Sequence, residues 1–411
     1  MGIRGAGSAG PPGVRGAGSA GPPGVKDPEL QNLQDSSAFA SEVSEGRLVT
    51  EQMLLNVGPQ HPATHGVFRL LATIDGERIV RAEPVVGYMH RGYEKLVEQR
   101  DYRQITNLIS RMDWLSGINN ELPLALALEE LMEIEVPPRA QYLRVALAEM
   151  NRILNHLMFF QSFAAELGAI TPTFYAFRER EDIQYAMETV TGGRMHFGFF
   201  RPGGLKEDVP KGFIAMALAS VRKVIDRLPD YEDLLTGNEI FKQRTLNVGV
   251  LDKEVAYSYG VSGPIGRGSA IEMDVRRDEP YLVYDQFDFD VCTGRHGDCF
   301  DRFWVLLHEI IESAKIVEQA LAGLPPGPIM GKVPRVVEAP KGEVYIRTEN
   351  PLGELGFYLV SDGGRRPYRI KIRTPSYSNV SALPFVLENT LVADMIAILG
   401  SFFFVLGDVD R

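Results

Sequence analysis

The apolar positions of the chain change period twice. Between residues 47 and 84 they alternate, and the segments 67–74 and 78–83 flank Asp75-Gly76, a pairing that predicts a hairpin closed by a tight turn. From about 88 to 228 the spacing becomes helical. Pro137-Pro138 opens the clearest helix, in which Leu143, Leu147, Met150, Leu154 and Leu157 form one stripe, and Gly168 offers a stop. A second helix is predicted over 300–324, with Phe300, Trp304, Leu307, Ile311 and Ala314 in register and Pro325-Pro326 ending it. Strand patterns return at 343–347, 355–360 and 369–373, with a turn at Asp362-Gly363-Gly364. The order sheet, helices, sheet predicts an α+β fold, a central helical bundle flanked by small N-terminal and C-terminal β-sheets. The expected organisation is a tail and linker over 1–46, a β domain over 47–87 and a helical core over 88–330. A β-rich segment with a buried C-terminal helix follows over 331–411.

Composition narrows the function classes. Net charge is −11 over 411 residues, without a basic run, which argues against nucleic acid as a partner. Two cysteines, Cys292 and Cys299, are too few for a disulfide scaffold, or for an iron–sulfur cluster or cysteine-rich zinc site held by this chain alone. No apolar run approaches the roughly 18 residues of a membrane span; the longest, 395–406, is interrupted by Gly400 and Ser401. Residues 4–14 repeat without change as 15–25, and the first 26 residues carry three cations and no anion. Such a segment buries too little apolar surface to order itself, so either a flexible tail or a start assigned too far upstream is expected.

Several motifs fail. The glycines at 260, 263, 266 and 268 do not have dinucleotide-binding spacing, and no helix pattern follows them. His308-Glu309 starts like a zinc-protease helix, but Glu312 stands where the second histidine belongs; the pair reads as a helix-surface feature. No Walker loop or G-x-S-x-G elbow is present.

Three features remain. His61-Pro62-Ala63-Thr64-His65 places two histidines beside the hairpin, either to structure the turn or to serve a site. The run 89–100 (MHRGYEKLVEQR) is dense in charge and reads by itself as a solvated helix start carrying Glu94 and Glu98. Glu166 stands at the C-terminal end of the first long helix, where the helix dipole disfavours an anion. It is either solvated, paired with a cation, or held in a cavity.

Together these stretches resemble the 49 kDa subunit family of respiratory complex I, whose bacterial members are the D subunits of NADH-quinone oxidoreductase. The resemblance is carried by 55–67 (LNVGPQHPATHGV), 89–100, 167–181 (LGAITPTFYAFRERE), Ser361-Asp362-Gly363 with Pro375-Ser376, and the terminal 407–411 (GDVDR), and spans roughly 47–411. It implies the fold of the nickel–iron hydrogenase large subunit with the metal site lost. The stretches matching the hydrogenase metal ligands, 111–114 and 403–408, hold no cysteine. The cavity is expected to take a quinone head group, with no cofactor of the chain's own.

Iron–sulfur subunits of the peripheral arm, bearing the cluster and the NADH site, and membrane-arm subunits are the implied partners. The implied reaction is NADH:quinone oxidoreduction coupled to proton translocation, in a peripheral subunit on the cytoplasmic face of the plasma membrane. Residue by residue, the resemblance makes His65 a quinone ligand and, with Glu166, a proton relay. It makes Trp114 a second quinone contact and sets Arg111 and His196 beside the partner's cluster.

The sequence departs from the family at three of these positions. Trp114 replaces a tyrosine, Glu166 an aspartate and Phe403 a C-terminal aspartate; 327–341 is also shorter than usual. Two alternatives follow: a non-catalytic scaffold linking the cluster subunit to the membrane arm, or a complex using another donor or acceptor. An indole and phenyl ring filling the cavity would favour the scaffold.

Overall fold

The computed structural model describes residues 52–411; the expected tail over 1–46 lies outside them. The hairpin forms as the spacing predicts. Strand β2 (Arg69–Asp75) pairs antiparallel with β3 (Arg78–Val85), and β1 (Met53–Val57) adds a third strand on the other edge of β2. Leu70, Ala72 and Ile74 alternate into the core while their neighbours are half-exposed, the period-2 signature of a sheet wet on one face.

The helical region contains α1 (Tyr102–Ile109), α2 (Gly117–Leu131), α3 (Pro138–Glu166), α4 (Ile170–Thr191) and α5 (Phe213–Tyr231). Helix α3 is the axis of the bundle. Its whole Leu143–Leu157 stripe is buried, and it packs on both α4 and α7 (Cys299–Ala322). A 29-residue helix extends about 43 Å at 1.5 Å per residue and ends with Glu166 beside His65 of the 61–65 loop.

Two expectations are corrected. The glycine run does fold as a helix, α6 (Gly263–Gly268). Pro264 suits its first turn, and a side chain on Gly263 would meet the backbone of Gly353 at 2.3 Å. These glycines therefore permit close packing. Glu309 is no surface residue: it is buried and bonds His156 and Arg267.

The second sheet is β4 (Gly342–Asn350), β5 (Gly353–Ser361) and β6 (Arg369–Arg373), all antiparallel. Two short helices, α8 (Met395–Phe402) and α9 (Leu406–Asp410), end the chain almost wholly buried. The terminal motif acts as a clasp. Asp410 accepts the N–H groups of Gly87 and Met89 at 2.8 and 2.7 Å, and Arg411 donates to the carbonyl of Ile372 at 2.7 Å. Among the described residues no helix is long and apolar enough to cross a membrane.

Candidate functional site

The two histidines of the 61–65 loop divide the two roles between them. His61 caps a single turn (Pro62–Thr64), its Nδ1 accepting the N–H of Ala63 at 3.2 Å. His65 follows that turn in the left-handed region, with φ 47°, a conformation that costs a non-glycine residue free energy. The ring packs on Phe404 at 4.7 Å between centroids, and Nδ1 lies 3.2 Å from the carbonyl of Phe404.

A carbonyl can only accept, so Nδ1 carries a hydrogen and donates it to Phe404. Nε2 faces Glu166 Oε1 at 3.3 Å, with both side chains nearly buried, at 12% and 11% exposure. The two atoms are in contact without hydrogen-bond geometry, so Nε2 is buried with no hydrogen-bond partner. The second oxygen of Glu166 is buried without a partner. It has room only because residue 400 is glycine, where a side-chain carbon would come within 2.1 Å of it.

The charged run at 89–100 ties the Arg111 backbone to the C-terminal sheet. Tyr93 Oη and Arg91 Nη2 donate to the carbonyl of Arg111 at 3.1 and 3.4 Å. Glu94 accepts from Arg369, Lys371 and the N–H of Ile372 at 2.9, 2.9 and 3.1 Å. This run is thus a structural tie to β6 more than a solvated face.

Beyond it, Arg111 Nη1 donates to the carbonyl of Asn107 at 2.6 Å. His196 stands close enough for that guanidinium to act on it: burial first, then the Arg111 charge, holds its imidazole below the usual value, against a hydrogen bond with the Ser110 backbone. Its Nδ1 is buried and unpartnered. Trp114 lies in the loop between α1 and α2 with 39% of its surface exposed, so the indole is not spent on core packing. Phe403 is buried against Phe159, 5.2 Å between ring centroids; it fills core at the position where the resemblance calls for a carboxylate.

Two residues absent from the expected set complete the centre. Asp113 and Asp408 are wholly buried, and Asp113 Oδ2 and Asp408 Oδ1 have no hydrogen-bond partner. Gly407 brings their chains together, because a side chain there would meet the carbonyl of Met112 at 2.4 Å. Burial raises Asp113 to about 6, and burial together with the Asp113 charge raises Asp408 to about 7. The only hint in the sequence is that each lies inside a motif: 111–114 and the terminal 407–411.

A folded-state pKa above the unfolded one means that the native state binds the proton more tightly. Stability is then greatest below the ordinary carboxylate range and falls as pH rises through 6 to 7. Denaturant unfolding of the full chain between pH 5 and 8 is expected to show this decline, on the order of a few kcal/mol, and D408N to flatten it. An unchanged slope in D408N counts against the pair.

The chain matches the family described as respiratory-chain NADH dehydrogenase, 49 kDa subunit, over residues 166–338 and 332–411. It is 55% identical over 368 residues to the second D subunit of the NADH-quinone oxidoreductase of Salinispora tropica, covering 89% of this chain and 95% of that one. Identity to the first D subunit of the Streptomyces coelicolor enzyme is 54% over 371 residues, covering 89% and 97%. For the D subunit of the Geobacillus kaustophilus enzyme it is 50% over 364 residues, covering 88% and 99%. Among solved structures, a chain of the membrane-bound sulfane sulfur reductase, an archaeal respiratory membrane complex, superposes with a TM-score of 0.85 at 34% identity, covering 88% of this chain and 99% of that one.

Proposed function

Because the chain belongs to the 49 kDa subunit family of respiratory-chain NADH dehydrogenase, we propose that it forms the quinone head-group site of a proton-translocating NADH:quinone oxidoreductase. In this reading it is a peripheral subunit on the cytoplasmic side of the plasma membrane. The observation that carries the reading is the inward-facing His65 ring, whose Nε2 lies 3.3 Å from Oε1 of the nearly buried Glu166. Reduction of a quinone to quinol takes two electrons and two protons. The electrons come from an iron–sulfur cluster on a partner subunit, which also leads back to the NADH site.

This chain supplies the protons and the hold on the head group. His65 Nε2 donates to one quinone carbonyl and releases its proton there; Glu166, beside the same nitrogen, restores it. Trp114 can donate a hydrogen bond to the head group but, unlike a tyrosine, cannot release a proton. In this reading His65 passes both protons in turn: Glu166 replaces the first, then takes a proton from solvent and returns it as the second. A cluster carried by the partner would lie against Arg111 and His196. The fixed cation of Arg111 would favour its reduced state, and His196 would bind a proton more tightly beside the reduced cluster, making the potential pH-dependent.

The test is photolabelling of the assembled complex with an azidoquinone. Label on peptides containing His65 or Trp114, displaced by excess quinone, is the expected result. Label confined to other subunits would favour the scaffold, a reading that the buried phenyl of Phe403 supports. A relative of the same fold belongs to a complex named for sulfane sulfur reduction, so label displaced by polysulfide but not by quinone would assign a different acceptor.

A further inference from the structure

On the Arg111 side lies a cavity of roughly 560 Å³, between the start of α1, the short hairpin of Phe200–Arg201 and Gly204–Leu205, and the extended chain 330–337. Its wall carries four cations, Arg103, Arg201, Lys206 and Arg335, against a single carboxylate, Asp101; of the four, Lys206 is paired with Glu207 outside the hollow at 3.7 Å. That carboxylate is committed, since Asp101 Oδ1 caps α1 by accepting the N–H of Gln104 at 2.9 Å. The arginines are not neutralised. Arg103 Nη2 donates to the carbonyl of Arg335 at 2.7 Å, and Arg201 Nη1 to that of Phe200 at 3.3 Å.

The carboxylate that acts on Arg201, Glu121, already accepts the N–H groups of Gly198, Phe199 and Phe200 at 2.6, 2.8 and 3.0 Å. Burial lowers the Arg201 pKa; Glu121 offsets this in part, and the Arg103 charge adds to the lowering. A chain of net charge −11 thus keeps like charges together around one hollow, an arrangement that costs free energy until an anion arrives.

The hollow is continuous with the face assigned to the cluster. Asn107 lines it, accepts from Arg111, and packs its Oδ1 against Gly198, two residues from His196.

We propose that this cavity receives an acidic segment of the partner subunit that bears the iron–sulfur cluster, with Asp or Glu carboxylates seated on Arg103, Arg201 and Arg335. The proposal rests on the reading that this partner docks at Arg111 and His196. Planar guanidinium forks match carboxylates in two-point contact, and an open hollow of this volume admits a short peptide segment.

The experiment retains the cluster-bearing subunit on the tagged full chain at increasing salt. It compares wild type, the triple variant R103Q/R201Q/R335Q, the single variant R335E and R111E. Arg335 is exposed, so R335E is safe for folding if the triple variant is not. Retention is expected to weaken at least tenfold in the triple variant and clearly in R335E, with a shallower salt dependence. Wild-type retention in both, while R111E is weakened, overturns the cavity proposal and leaves the docking face intact. Wild-type retention in all the variants overturns the docking reading as well. Inorganic pyrophosphate titrated into the full chain supplies the last arm. Saturable binding lost in the triple variant, with partner retention unchanged, makes the cavity a small-polyanion site and overturns the acidic segment.

Discussion

A complex carrying H65N is expected to lose quinone reductase turnover by roughly 10²-fold or more, the usual worth of a positioned general acid. Reduction of the iron–sulfur clusters by NADH should continue. Asparagine is the informative replacement because residue 65 sits at φ 47°, a conformation that asparagine tolerates better than other side chains. The loop then keeps its shape while Nε2 and its proton are removed. E166Q tests the other half of the pair. It keeps the size of the side chain beside Nε2 but cannot restore the proton, so turnover should fall with binding retained. The measurement is steady-state quinone reduction beside the visible spectrum of the reduced clusters. Loss of both together would point to failed assembly, not to failed proton delivery.

The second large effect concerns folding. R267A is expected to destabilise the chain by about 3–5 kcal/mol, a large share of the stability of a typical domain, about 5–15 kcal/mol. Arg267 is buried and meets Glu309 at 2.7 Å, Glu349 at 2.8 Å and Asp274 at 3.7 Å. Arg276 joins Asp274 to Glu149, and Glu149 also binds Arg152. His156 closes the cluster on Glu309 at 2.9 Å, its imidazole held below the usual value by burial. Removing the arginine leaves three carboxylates in the core short of a cation. R194A is the contrast: Arg194 pairs with Glu181 and Glu188 on the surface, where loss of a pair costs about 1 kcal/mol or less. Denaturant midpoints of the two variants should separate clearly. Equal midpoints would mean that the buried network contributes no more than a surface pair.

Helix α3 is legible because an apolar stripe is local information, and the β2–β3 hairpin because Asp75-Gly76 allows few other turns. The candidate His65 comes from its loop and from the family likeness. Its partner Glu166 lies 101 positions away, and only the meeting of α3 with the 61–65 loop shows the two face to face. The glycine run at 260–268 is opaque for the same reason. Those glycines make room for β5 and for Arg302, neighbours that no window of sequence contains. The Arg267 network and the Asp113–Asp408 pair join residues from distant segments, so each member looks in sequence like an ordinary charge. The family likeness assigns residues to an inherited chemistry. The structure adds the tautomer of His65, the glycine that admits Glu166 and the unneutralised arginines beside Arg111.

The most direct measurement is a single turnover in the assembled complex. The terminal cluster is reduced chemically, so that the outcome does not depend on the natural donor. The complex is then mixed with a short-chain quinone, and reoxidation of the cluster is followed by electron paramagnetic resonance. The account predicts prompt reoxidation in the wild type and a cluster that stays reduced at least roughly 10²-fold longer in H65N. Reoxidation of the H65N complex at the wild-type rate would contradict it.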